Sequence, residues 1–131
     1  MGTQATIVTH GIKISVETKF QNEHSDSEHR HFLFSYKITI ENTSEFTVKL
    51  IDRHWDIFDS GAEHIEVDGK GVVGEQPILA QGDFFQYESA CSITSDVGKM
   101  SGFYLMERTL DKLRFKTAIP EFELVTPARL N

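Results

Sequence analysis

Between Phe32 and Glu41 the chain alternates side chains with a period of two. Phe32, Phe34, Tyr36, Ile38 and Ile40 fall on one side, and Ser35, Lys37, Thr39 and Glu41 on the other. Successive side chains leave opposite faces of a pleated backbone, so this pattern marks an extended strand with one buried side. Asn42-Thr43-Ser44 follows, and short polar side chains of this kind bond their own backbone and turn the chain. The rule repeats along the sequence. Ile12, Ile14 and Val16 alternate with Lys13, Ser15 and Glu17; Val48 and Leu50 lead into a run from Ile51 to Phe58, ended by Asp59-Ser60-Gly61. Phe85, Tyr87 and Ser89 alternate with Gln86 and Glu88 after the turn Gln81-Gly82-Asp83. Met100, Gly102, Tyr104 and Met106 form another set, Leu113, Phe115 and Thr117 begin a last strand, and Phe122 and Leu124 close it. Short strands about 8–12 residues apart, punctuated by Gly, Asp and Asn, predict an all-β sandwich or barrel. No segment has the spacing of a long amphipathic helix.

Size and charge narrow the class. A chain of 131 residues fits one domain with a real hydrophobic core. Cys91 is the single cysteine and has no internal disulfide partner, which fits a cytoplasmic protein. The opening Met1 to Thr6 has no positive cluster followed by an apolar run, so no secretory signal is expected. No apolar stretch approaches the roughly 20 residues of a membrane span. With 20 acidic against 13 basic residues the net charge is −7. That balance repels nucleic acid and suits solubility, cations or basic partners.

Four groups of residues could carry chemistry. Gly69-Lys70-Gly71-Val72-Val73-Gly74 spells G-x-G-x-x-G. A dinucleotide site of that form needs a helix to open behind it, and Pro77 with no βαβ pattern argues against one. A loop cradling phosphate on backbone N–H groups, with Lys70 as counter-charge, stays open beside a purely structural glycine turn. His24, His29 and His31 lie near Glu23, Asp26 and Glu28 in a long polar loop, where they could hold a transition metal or be merely solvated. Arg53-His54-Trp55 could form a recognition patch, since Arg and Trp are enriched at hot spots; Trp55 could equally be core. Cys91 reads as a small buried hydrophobe, and Glu121 and Glu123 as a wet strand face. No nucleophile, acid–base pair or cofactor motif emerges, so a binding module is expected rather than an enzyme, and no cofactor.

Taken together, the spaced motifs are specific. Arg53-His54-Trp55, Gly69 to Pro77, Gly82 with Phe85 and Tyr87-Glu88-Ser89, and Gly98-Lys99-Met100-Ser101-Gly102 with Tyr104 and Met106 resemble the ApaG family. Tyr36 to Asn42 and Ile119 to Leu124 look like two of its strands. The resemblance runs from about Thr6 to Leu124 and leaves residues 125–131 as a tail. It implies an immunoglobulin- or fibronectin-III-like antiparallel β-sandwich acting as a protein-interaction module. It also implies a conjectured pyrophosphate site at Gly69, Gly71 and Gly74, with Lys70 at a variable position, and an association with cobalt and magnesium tolerance. The His-rich loop before Phe32 departs from the family pattern, so a metal site there would belong to this chain alone. The expected partner is another protein, or else a small phosphorylated ligand. Oligomeric state is left open, because edge strands can pair between chains.

Overall fold

The structure, a computed structural model, describes residues 2–60 and 64–127; Gly61 and the last four residues of the tail lie outside them. Among the described residues nine strands run in chain order: β1 Gly2–Thr9, β2 Ile12–Phe20, β3 Phe32–Asn42, β4 Val48–Asp59, β5 Ile65–Lys70, β6 Ile78–Leu79, β7 Phe84–Ile93, β8 Val97–Arg108 and β9 Arg114–Val125. One sheet has the order β1-β2-β3-β7; the other has β5-β4-β8-β9, with β6 added on β4. All these pairings are antiparallel. A 3-10 turn, Asn22–His24, follows β2. Among the described residues no helix is long and apolar enough to cross a membrane.

The alternation predicted for β2 and β3 is realised. Ile14 sits opposite Ile40 and Val16 opposite Ile38, and all four are buried. They meet Leu50, Trp55, Tyr104, Met106, Phe122 and Leu124 of the second sheet in one core. Rings bridge the layers: Trp55 lies 5.4 Å from Tyr36, and the hydroxyls of Tyr87 and Tyr104 are 2.5 Å apart. Sheet pairs packed this way form an antiparallel sandwich.

Two bulges change the phase of the second sheet. On β4 the register shifts between Leu50 and Asp52, so Val48 and Leu50 are buried and then Trp55 is. Odd-numbered residues 53–59 therefore face inward. On β9 Met100 pairs with Phe122 while Gly102 pairs with Ile119, which leaves one extra residue at Pro120-Glu121. Proline lacks the ladder N–H, and a bulge is where a strand tolerates it. Leu113, expected to open this strand, lies one residue before β9 and is exposed.

The turn after β3 is held as its sequence predicts. Asn42 is fully buried, yet its Nδ2 donates to the Phe46 and Leu79 carbonyls at 2.7 and 2.9 Å. Its Oδ1 accepts from the Ser44 N–H at 2.9 Å. A buried amide with partners on both sides fixes this end of the sandwich.

Candidate functional site: the two faces of strand β4

Strand alternation splits Arg53-His54-Trp55. Trp55 points into the core and is 3 % exposed, packed between Tyr36 and Phe122, so the triplet does not form one surface patch. Arg53 also turns inward. Its Nη1 donates to the Lys70 carbonyl at 3.2 Å and the Gly71 carbonyl at 2.8 Å. The residue opposite Arg53 is Gly69, where a Cβ would lie 2.5 Å from the guanidinium carbon. Glycine there is what lets the arginine fold across β5. With Tyr36, Trp55, Val72, Val73, Tyr87 and Ser89 it lines a cavity of about 160 Å³. Burial raises the pKa of Tyr36, Tyr87 and Tyr104, so these phenols are neutral at ordinary pH. Among the described residues no carboxylate forms an ion pair with Arg53.

The glycine motif is a hairpin turn. Val72 and Glu75 exchange two backbone hydrogen bonds of 2.8 Å, and between them Val73 and Gly74 have φ of +44° and +80°. Positive φ at both central residues is the sign pattern of a type I′ turn. Gly71 has φ +63°, and a Cβ there would run into the Glu75 carbonyl oxygen. The N–H groups of Gly71, Val72 and Glu75 are spent on backbone carbonyls, so they do not converge on an anion. Pro77 and strand β6 follow the turn, and no helix opens there. Lys70 is exposed at the end of β5.

The outer face of β4 is different. His54 Nδ1 lies 2.6 Å from Asp68 Oδ1. Its Nε2 lies 3.3 Å from Asp56 Oδ2 and 3.7 Å from Glu66 Oε1. His64 Nε2 approaches the other Asp56 oxygen at 3.0 Å. The imidazole stacks on Phe103 with centroids 4.9 Å apart. The hydrogen bond to Asp68, with the charge of Asp56 behind it, raises the pKa of His54. His54 and Asp56 are two apart on β4, Glu66 and Asp68 are two apart on β5 with His64 just before it, and the hairpin register brings them together on one face.

The loop histidines do not gather. His24 is exposed in the 3-10 turn, His29 Nδ1 meets Asp26 Oδ2 at 2.5 Å, and His31 Nδ1 leans 3.5 Å from Ser92 Oγ. That contact with His29 lowers the Asp26 pKa. Among the described residues the one three-donor grouping suited to a metal ion is His54, Asp56 and Glu66.

Sequence reasoning also missed an apolar groove of about 600 Å³ at one end of the sandwich, lined by Phe46, Val48, Gln81, Leu113, Phe115 and Arg108 among others. The Arg108 guanidinium lies 4.1 Å over the Phe46 ring and pairs with Asp111. Leu110 and Leu113 in the β8–β9 turn were the available signal: two leucines where turn chemistry calls for polar residues.

These features define an antiparallel β-sandwich domain. The ApaG domain family matches residues 22–108, and the chain belongs to that family. Protein ApaG of Beijerinckia indica is 42 % identical over 120 residues, covering 92 % of both chains. Protein ApaG of Anaeromyxobacter dehalogenans is 42 % identical over 127 residues, covering 97 % of this chain and 99 % of its own. A crystal structure of the putative ApaA protein from Bordetella pertussis superposes with a TM-score of 0.85 at 36 % identity, over 88 % of this chain and 94 % of that one.

Proposed function

We propose that the domain is a binding module whose partner is another protein, held at the groove end of the sandwich. The observation that carries this reading is the apolar groove lined by Phe46, Val48, Leu113 and Phe115, with Leu113 51 % exposed and its turn neighbour Leu110 83 % exposed. Their placement follows from topology. The two leucines sit in the β8–β9 turn, whose Thr109 N–H donates to the Thr47 carbonyl, whereas the exposed Ile78 and Phe84 stand on the outer faces of different sheets. Leaving such groups in water forgoes the hydrophobic gain of about 25 cal/mol per Å², and clustered exposure of this kind marks interaction surfaces. A net charge of −7 favours a partner that surrounds an apolar anchor with basic residues.

Binding is favoured over catalysis by the state of the nucleophiles. Burial pushes the Cys91 thiol up to about 11, so it stays protonated at neutral pH. The approach of Ser92 Oγ to His31 is long at 3.5 Å and open to water. The test is affinity capture from the native cytosol, run in parallel with wild type and Leu110→Asp/Leu113→Asp. A protein held by the wild type, lost at least tenfold by the variant and rebound from purified components supports the reading. Partners retained equally by both chains overturn it.

The second reading is a small phosphorylated ligand, favoured by Arg53 rather than by the glycine loop itself. A guanidinium that has no carboxylate partner among the described residues, beside the Tyr36, Tyr87 and Ser89 side chains, offers a charge and hydroxyls to an oxyanion. Calorimetry with inorganic pyrophosphate should then show heat that Arg53→Gln abolishes and Lys70→Ala weakens. No heat at millimolar pyrophosphate removes this reading.

A further inference from the structure

The outer face of the β4–β5 hairpin carries a second kind of site, independent of the protein-binding end. We propose that His54, Asp56 and Glu66 bind a divalent transition-metal cation of the zinc class, with Asp68 as the residue that positions the imidazole.

Spacing is the first argument. One nitrogen and two carboxylate oxygens, one from each residue, lie within 4.8 Å of one another. Zinc holds such donors at roughly 2.0–2.2 Å, which at the tetrahedral angle sets neighbouring donors about 3.3–3.6 Å apart. The observed separations from Nε2 are 3.3 Å to Asp56 and 3.7 Å to Glu66. A charge-assisted hydrogen bond would instead draw nitrogen and oxygen to about 2.7–2.9 Å. The other ring nitrogen shows that contrast directly, since Nδ1 lies 2.6 Å from Asp68. One imidazole therefore has a hydrogen-bonded side and a side at ligand spacing.

The Asp68 contact is the second argument. A carboxylate only accepts, so Nδ1 carries the proton and the lone pair of the neutral ring is on Nε2, facing Asp56 and Glu66. A carboxylate behind a ligating histidine fixes its tautomer and strengthens it as a donor. Stacking on Phe103 holds the ring plane, and the side chain is 16 % exposed, so the donor is placed before any ion arrives. His64 reaches the other Asp56 oxygen at 3.0 Å, a hydrogen bond that helps hold that carboxylate in place. One imidazole with carboxylates suits zinc, nickel or manganese; magnesium favours an all-oxygen octahedron and keeps its waters. The competing occupant of Nε2 is a proton, whose binding Asp68 and Asp56 also favour.

The experiment is calorimetry of the full chain with zinc chloride at pH 7.5, repeated with variants. Saturable 1:1 binding, abolished by His54→Ala or Asp56→Asn, supports the site. Asp68→Asn should weaken it about 10–100-fold without changing the stoichiometry, the loss expected of a partner behind a ligand. The triple variant His24→Ala/His29→Ala/His31→Ala should bind as wild type does. Circular dichroism melts confirm that each variant is folded, and Glu66→Gln, on an exposed side chain, supplies a fourth reading. No saturable heat up to 1 mM zinc, or binding that survives His54→Ala, overturns the proposal.

Discussion

Arg53 and His54 are neighbours in the chain and opposites in environment. Arg53 crosses a glycine, hands one nitrogen to two backbone carbonyls and faces three neutral phenols. His54 lies on a ring face and is flanked by three carboxylates. The backbone is the same strand. The pleat assigns one residue to the sandwich interior and the next to the outer face, and the bulge at Leu50/Asp52 decides which is which. Charge on the inner face is served by fixed dipoles, whereas charge on the outer face is served by mobile acids in contact with water. The two faces should therefore respond differently to substitution and to pH.

The largest effect belongs to the inner face. Trp55→Ala removes a 3 %-exposed ring wedged between Tyr36 and Phe122. It should cost about 3–5 kcal/mol, measured as a lower midpoint in urea with an unchanged slope. A loss below about 1 kcal/mol would mean that the ring is not part of the core. A medium effect tests the pairing of Arg53 with Gly69. Gly69→Ala puts a methyl where the guanidinium lies and should cost about 1–2 kcal/mol through the displaced carbonyl hydrogen bonds. In an Arg53→Ala background the same substitution should cost clearly less, because neighbours sharing one space are not additive. Equal costs in both backgrounds would separate the glycine from the arginine.

How much of this was legible depends on which physical signal wrote it. Strands β2 and β3 could be read outright, because one face is buried along their whole length and the alternation is unbroken. The phase of β4 could not, since a bulge leaves no residue type of its own at Ile51 and reverses every inward and outward assignment beyond it. Pro120 was the available signal for the second bulge, between the odd-numbered Thr117 and Ile119 and the even-numbered Phe122 and Leu124. The glycine motif looked like a ligand loop because glycine is required both where phosphate approaches and where φ is positive; here the second requirement explains Gly71 and Gly74. His64, Glu66 and Asp68 were spaced for one face all along. Only the register, with His54 opposite Asp68 and Asp56 opposite Glu66, shows that they meet a histidine.

The smallest effect sharpens the outer face. The pKa of His54 is raised in the folded chain, first by the hydrogen bond to Asp68, while the unfolded imidazole titrates near 6.5. The folded state therefore holds the proton more tightly than the unfolded state does. The stabilisation is fully present below about pH 6.5 and is lost as pH rises through the higher folded value. Wild type measured by urea unfolding should weaken from pH 6 upward into the mildly alkaline range, and His54→Gln should flatten that slope. The loop acid Asp26 runs the other way, since its lowered pKa adds stability that disappears in acid, so the two contributions occupy separate pH windows. A slope that persists unchanged in His54→Gln would assign it to other groups and remove the claim that the outer-face acids act mainly through this one ring.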